Sequence, residues 1–318
     1  MRKFLIKKKE ISDLKYGKYP GAQSTKELLE NGIIIIDKPK GYTSHQIDSI
    51  IKKITGIKKC SHGGTLDPNV TGVLVIALGK ATKLMQILLK EDKEYVGLIY
   101  LHKDIDEEKI KEVCKKFIGK IKQIPPVKSA VARIEREREI YNLEVLEIKQ
   151  RHVLIKVSCE AGTYIRRLAD DIGKSLGVGA HLQELRRIRS GIFSEKDAIT
   201  LQEFIRIFSE YKEGNEEKLR EILRPSEIIA NAKPVIIVRD SAIGSICNGA
   251  PLYVAGISRV EENIKRGDIV IMLSGKGELV GFGYANLSTE EMIKETKGIA
   301  VKTDSVIMKI GTYPRKHL

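Results

Sequence analysis

The 318-residue sequence predicts an α+β domain followed by a small β-barrel domain, and three observations carry that prediction. Short apolar runs and amphipathic stretches follow one another irregularly through the first two-thirds, an order unlike regular βαβ winding. After Arg224-Pro225 the character changes to closely spaced apolar runs separated by glycines, the pattern of a compact barrel of under ~100 residues. The length suits about two domains, and an apolar fraction of 42% supplies their cores.

Taken in order, residues 1–31 are charged and turn-rich and are expected to form an extended arm. Ile33–Ile36, ending at Asp37-Lys38-Pro39, reads as a buried strand. Ser44 is placed to cap a helix whose Ile47, Ile50, Ile51 and Ile54 follow the 3.6-residue period. Val73–Leu78 and Tyr95–Leu101 read as buried strands. Asp106 is placed to cap a helix with Ile110, Val113, Cys114, Phe117 and Ile118 on one face. Pro125-Pro126 interrupts the chain before Arg133–Glu139, a charged loop or solvated hairpin. Val153–Cys159 alternates as a strand does, and Gly162-Thr163 opens a helix with Ile165, Leu168, Ile172 and Leu176 on one face, stopped by Gly177. Beyond the boundary near 225–233, strands are expected at Val235–Val238, Asp268–Leu273, Leu279–Tyr284 and Ser305–Ile310, with a short helix near Ala242–Cys247. The expected organisation is an arm (1–31), a main domain (32–228) and a barrel domain (233–318).

Composition narrows the function. The longest apolar runs fall far short of the ~20 residues a membrane span needs, and Met1–Ile6 lacks the apolar core of a secretory signal. A soluble, cytoplasmic protein is expected. Four cysteines stand singly, so no Cys-x-x-Cys zinc or redox motif is indicated, and no glycine-rich nucleotide cradle appears. The formal net charge is +14. Residues 225–318 carry 12 basic and 10 acidic groups, leaving 44 and 32 for the rest. The excess therefore lies in the main domain and arm, and it suits a polyanionic partner, whose phosphates release counterions to lysine and arginine.

The chemistry concentrates around Asp67. Gly63 and Gly64 permit close backbone approach, and Pro68 disfavours helix for Asp67, so the carboxylate sits on a stiff loop. An Asp-Pro turn by itself is an ordinary structural turn.

Longer strings decide the matter. D-K-P-K-G-Y-T-S-H (Asp37 to His45), H-G-G-T-L-D-P-N-V-T-G-V-L (His62 to Leu74), K-E-Y (Lys93 to Tyr95), G-T-Y-I-R-R-L (Gly162 to Leu168) and G-A-H-L-Q-E-L-R-R (Gly179 to Arg187) occur in this order. Together they resemble the TruB family of pseudouridine synthases over roughly residues 30–200. Within it the chain most resembles the archaeal dyskerin-type branch, the catalytic subunit of box H/ACA ribonucleoproteins. Asp240-Ser241-Ala242, Asn248-Gly249-Ala250 and Gly311-Thr312-Tyr313-Pro314-Arg315 make the last ninety residues similar to a PUA domain.

The resemblance implies a mixed, largely antiparallel sheet and isomerisation of uridine to pseudouridine in RNA. It implies Asp67 as nucleophile, Tyr95 stacked on a flipped base, and Arg166 paired with Asp67. His62, Tyr164 and Leu185 would contact substrate, and Asn248, Gly249 and Ala250 would touch RNA. No cofactor and no metal are implied. The implied partners are a box H/ACA guide RNA, rRNA and tRNA substrates, small Gar-type and Nop-type subunits, and a kink-turn-binding ribosomal-like protein. Two departures stand out. Cys60-Ser61 replaces smaller or glycine residues, and Val131–Glu139, matching the RNA-gripping thumb loop, alternates Arg133, Arg136 and Arg138 with Glu135, Glu137 and Glu139 where the family is basic. A stand-alone tRNA T-loop enzyme and a non-catalytic RNA-binding ribosome assembly factor remain as alternatives.

Overall fold

The structure, a computed structural model, describes residues 2–124 and 134–315. The described chain forms two compact units, one of residues 34–76 and 85–215, the other of residues 1–33, 77–84 and 216–318.

The first unit is built on a ten-stranded sheet. Its main path runs Ile199–Thr200, Ile33–Lys38, Thr71–Leu78, Ala180–Ser190, Lys93–Leu101, His152–Cys159, Arg136–Lys149 and Gly119–Gln123. Ile199 pairs parallel with Ile36, and Thr71 parallel with Arg186. The five strands from Ala180–Ser190 onward pair antiparallel, so the sheet is mixed and largely antiparallel, as expected. Ile33 to Ile36 and Val73 to Leu78 are almost wholly buried, which is why both runs lack the alternation of a half-exposed strand.

Helices Glu107–Lys115 and Ile165–Ser175 bury Ile110, Val113, Leu168 and Ile172 in one apolar core with Ile99, Ile155 and Val157 of the sheet. Asp106 caps the first of these by accepting from the backbone of Glu108 and Lys109. Gly177 follows the second with φ +73, the left-handed turn that ends a helix.

Several expectations need correction. The helix Ser44–Thr55 is capped by Thr43 with Gln46 in a capping box, because the Ser44 hydroxyl is occupied elsewhere. The strand Ala180–Ser190 was hidden by its charges; four of its eleven residues are Glu184, Arg186, Arg187 and Arg189. Their partners are tertiary: Arg186 donates two parallel hydrogen bonds to the Asp37 carboxylate at 3.0 and 2.9 Å, and Arg189 donates to Glu94 at 2.9 Å.

The charged stretch is the return strand of a hairpin. Gly119–Gln123 pairs with Arg136–Ile140, and Lys120 and Lys122 neutralise Glu137 and Glu135 at 2.9 and 3.3 Å. Opposite charges facing one another across strands explain the alternation. Pro125-Pro126 and the Val131–Arg133 part of the thumb stretch lie outside the described residues.

In the second unit, seven strands follow the order Phe4–Ile6, Ile257–Glu261, Val235–Val238, Ile269–Leu273, Leu279–Ala285, Ile299–Val306 and Leu252–Tyr253. They pack with helix Asp240–Cys247 round Ile236, Ile243, Val260, Val270 and Val280. The arm is thus not wholly irregular. Phe4–Ile6 pairs antiparallel with Ile257–Glu261, a partner too distant in sequence for local pattern to show. Thr25–Asn31 is a helix with a Ser24–Glu27 capping box and buried Leu28 and Leu29. The last strand spans Ile299–Val306 rather than Ser305–Ile310, since its inward residues are Ala300 and Val301.

Candidate active site

The loop carrying Asp67 is fastened at both flanks. The Ser44 hydroxyl accepts from Leu66 N at 2.8 Å and donates to Leu66 O at 3.1 Å. On the other side, the Lys38 ammonium, wholly buried, donates to Pro39 O at 2.9 Å, Tyr42 O at 2.6 Å and Pro68 O at 3.2 Å. Pro68 O also accepts from Gly41 N at 2.8 Å, and Val70 N closes the turn onto Asp67 O at 3.0 Å. Burial lowers the proton affinity of Lys38, while the Asp67 carboxylate opposes that effect. Both flanking residues thus tie the loop to the D-K-P-K-G-Y-T-S segment.

Asp67 itself points outward and receives Arg166 Nη2 at 2.7 Å, with both side chains more than half exposed. Arg166 stands on the first turn of helix Ile165–Ser175. The start of that helix is held by Gln123, nearly fully buried, whose amide donates to Tyr164 O at 3.1 Å and accepts from Tyr164 N at 2.9 Å. Arg167, the neighbour, pairs instead with Asp171 at 3.3 Å.

Tyr95 and Leu185 lie on one face of adjoining strands. Tyr95 is the cross-strand partner of Arg187, and Gly97 that of Leu185; residues two apart share a face. At Gly97 an added Cβ would stand 3.3 Å from Leu185 Cδ1. The guanidinium of Arg187, 1% exposed, donates to Val73 O at 2.7 Å and Gly64 O at 3.0 Å and acts on the Tyr95 phenol of the neighbouring strand. Burial raises the pKa of the phenol, and the positive charge of Arg187 pulls it down. Arg187 thus joins the candidate base-stacking tyrosine to the glycine pair ahead of Asp67.

Two further positions show how tightly this region is built. Gly72 has φ +102, and a Cβ there would fall 2.2 Å from Arg187 O. Lys93, 4% exposed, donates to Leu88 O and Leu89 O at 3.1 Å each and to Glu91 O; burial and Arg187 bring its pKa down to about 8.

His62 is buried at 9% exposure, with Nδ1 bonded to Asp48 Oδ2 at 2.6 Å and Nε2 to Thr65 Oγ1 at 3.2 Å. It supports the loop from within rather than standing at its surface. In the second unit, Asn248 closes helix Asp240–Cys247 by donating to Gly244 O at 2.7 Å, and Gly249 follows at φ +92 with open space round its Cβ position. Ala250 O accepts from Thr303 at 2.9 Å. The three residues form one turn, at which Asn248 and Gly249 are exposed.

Of the residues singled out in the sequence, the structure pairs Asp67 with Arg166 and sets Tyr95 and Leu185 on one face, while Lys38, Ser44, Gln123 and Arg187, which hold these segments, were not singled out for that part. Three of these stand inside the quoted motifs, so their positions were visible; their bonds were not. Chemically, the site offers a carboxylate on a braced loop, oriented by an exposed guanidinium, and a half-buried phenol with a cation behind it.

Models of known families match most of the chain. The model of the N-terminal domain of TruB family pseudouridylate synthases matches residues 52–165, and that of the C-terminal domain of tRNA pseudouridylate synthase B matches 166–230. The DKCLD domain matches 1–48 and the PUA domain 234–307. A probable tRNA pseudouridine synthase B of Methanosarcina barkeri is 46% identical over 94% of this chain and 89% of its own length. Another, of Methanopyrus kandleri, is 48% identical over 99% and 93%. Among solved structures, a chain of a Cbf5-Nop10-Gar1 complex superposes with a TM-score of 0.95 at 45% identity, covering 99% of this chain and 97% of its own. A chain of an H/ACA RNP bound to a substrate RNA containing 2'-deoxyuridine gives 0.93 at 44%, with 99% and 97% covered.

Proposed function

We propose that this chain, which belongs to the TruB family of pseudouridine synthases, isomerises uridines selected by a guide RNA, with Asp67 as nucleophile. The observation that carries this reading is the Asp67–Arg166 pair. It is outward-facing and mutually oriented at 2.7 Å, on a loop braced through Lys38 and Ser44. A rigid scaffold that presents an exposed charged pair is an expensive way to gain stability and an apt way to present a reacting carboxylate.

The reaction breaks the bond between ribose C1' and uracil N1, turns the base, and joins C5 to C1'. The Asp67 carboxylate attacks the sugar as that bond breaks and leaves when the new carbon–carbon bond forms. A target uridine within stacked RNA is out of reach, so it is flipped into the site. Tyr95 stacks on the base, with Leu185 as the apolar wall beside it, and takes part in removing the C5 proton, aided by the charge of Arg187, while N1, freed from the sugar, takes up one proton in its place. Tyr164, at the head of the Arg166 helix, would contact the substrate, and His62 shapes the loop through Thr65. The rearrangement adds and removes no electrons overall, so this chain's own residues suffice.

We further assign the guide-RNA setting. The similar chains named above were solved with Nop10 and Gar1 and with substrate RNA, and their near-complete overlap with this chain supports the same assembly here. Small Gar-type and Nop-type subunits, a kink-turn-binding protein, guide RNA and rRNA are the proposed partners, acting in the cytoplasm. The exposed Asn248-Gly249-Ala250 turn would meet the RNA end. Among the described residues no helix is long and apolar enough to cross a membrane. A second reading, guide-independent modification of tRNA, is favoured by the names of the curated relatives.

The test is single-turnover conversion of a uridine-labelled target RNA by the reconstituted complex. Asp67→Asn should abolish pseudouridine formation while RNA affinity stays within about twofold. Turnover by Asp67→Asn at the wild-type rate would refute the mechanism. Wild-type conversion of a tRNA T-loop without guide RNA would favour the second reading.

A further inference from the structure

The cysteine pattern indicated no metal site, yet the fold brings two histidines and an aspartate together. His45 and Asp48 stand three positions apart on the first turns of helix Ser44–Thr55, and so on one face of it. The short strand Cys60–His62 brings His62 against that face. His62 Nδ1 lies 2.6 Å from Asp48 Oδ2, His45 Nδ1 lies 3.9 Å from the same oxygen, and one ligand atom from each of the three residues falls within 4.8 Å of the others. The two imidazole rings meet nearly edge to face, with centroids 5.0 Å apart.

We propose that His45, Asp48 and His62 form a binding site for zinc. Two imidazoles and one carboxylate, with a further position left to solvent, are a donor set that zinc accepts readily. Bonds of about 2.0–2.2 Å in tetrahedral geometry set neighbouring ligand atoms roughly 3.3–3.5 Å apart. Asp48 and His62 must part by less than ~1 Å to reach that spacing. His45, its side chain 85% exposed, is free to swing inward.

Two features go beyond proximity. Asp48 is only 8% exposed, and a buried carboxylate is stabilised by a cation or by strong hydrogen bonds. Thr65 Oγ1 holds the far nitrogen of His62 at 3.2 Å, the arrangement by which a ligating imidazole is oriented through its second nitrogen. Zinc would replace the proton that Nδ1 shares with Asp48 and would pin the histidine that opens the His62–Pro68 loop to helix Ser44–Thr55. Binding is measured without any assay of RNA modification, so this inference stands or falls apart from the catalytic reading.

The experiment is calorimetric titration of the full-length protein with zinc chloride, repeated on His45→Ala and on the double variant His102→Ala/His181→Ala. The second pair is a competing histidine site, its rings joined by a 3.0 Å contact. His45 is exposed, so its replacement leaves the fold intact and isolates the ligand. The expected result is one zinc per chain, weakened at least about tenfold by His45→Ala and unchanged in the double variant. Equal affinity in His45→Ala, loss of binding in the double variant alone, or no zinc bound by the wild-type chain would each overturn the assignment and leave a plain Asp48–His62 hydrogen bond.

Discussion

Replacing Lys38 by methionine tests whether the catalytic loop is held by a buried charge. The ammonium makes three hydrogen bonds to carbonyl oxygens, one of them to Pro68, the residue after Asp67. Charged hydrogen bonds contribute about 1.5–3 kcal/mol each, and their sum is offset by the several kcal/mol it costs to desolvate an ammonium. The net loss on substitution is on the order of 2–4 kcal/mol, mostly from Pro39 O and Tyr42 O losing the ammonium, since Pro68 O keeps Gly41 N. Methionine fills nearly the same volume, so a cavity adds little. Urea unfolding should show that loss as a lower midpoint with the slope unchanged. The rate should respond more sharply than the stability. A displacement of Asp67 by about 1 Å is enough to slow the reaction on the order of a hundredfold, whereas RNA affinity should remain near that of wild type. A folded Lys38→Met protein with wild-type single-turnover rate would show that the loop keeps its shape without this bond, and the bracing argument would fail.

Arg166→Ala should separate function from stability. Its pair with Asp67 is more than half exposed on both sides, so unfolding free energy should move by no more than about 1 kcal/mol, while the rate of pseudouridine formation drops at least about tenfold; a rate within twofold of wild type would show the pair to be idle. Gly72→Ala combines a positive φ with a 2.2 Å collision against Arg187 O, so thermal unfolding should shift down by several degrees, and an unchanged midpoint would contradict the packing described. Lys93 gives a pH signature. Its folded pKa of about 8 lies below the 10.5 of an ordinary lysine, so between those values the unfolded chain binds more protons and stability rises with pH. Relative to Lys93→Met, the wild-type protein should gain up to about 3 kcal/mol as pH climbs from 8 to 10.5, less whatever its three carbonyl partners return to the charged form. A difference that is flat with pH in paired urea titrations would rule this out.

Much of this fold was legible in the sequence, for reasons that can be named. Runs such as Ile33–Ile36 and Val73–Leu78 announce themselves because burial on both faces leaves nothing polar in them. The helices at Glu107–Lys115 and Ile165–Ser175 follow from a capping aspartate, an apolar stripe and a stopping glycine. What escaped depends on partners far away in the chain. Ala180–Ser190 looks unfit for the centre of a sheet until Asp37 and Glu94 are seen to meet its arginines. Ser44 looks like a helix cap, because only the fold shows its hydroxyl committed to Leu66. The site divides in the same way. Asp67 and Arg166 could be placed by motif, but Gln123, which sets the helix bearing Arg166, has no local pattern to mark it.

The pairing of Phe4–Ile6 with Ile257–Glu261 also bears on how the chain is made. Leu5 lies beside Val260 in the finished sheet, some 255 positions further along. At roughly 5–20 residues per second, the strand waits on the order of 10–50 s for its partner to be synthesised. Meanwhile the unit of residues 34–76 and 85–215 is complete and free to fold. Through that interval Phe4-Leu5-Ile6 is a short greasy segment with an unpaired backbone, the kind that seeks strands on other molecules. Arg2, Lys3 and the run Lys7-Lys8-Lys9 flank it on both sides, and like charges discourage such encounters. The basic residues on either side of Phe4–Ile6 thus read as a guard on an unfinished edge.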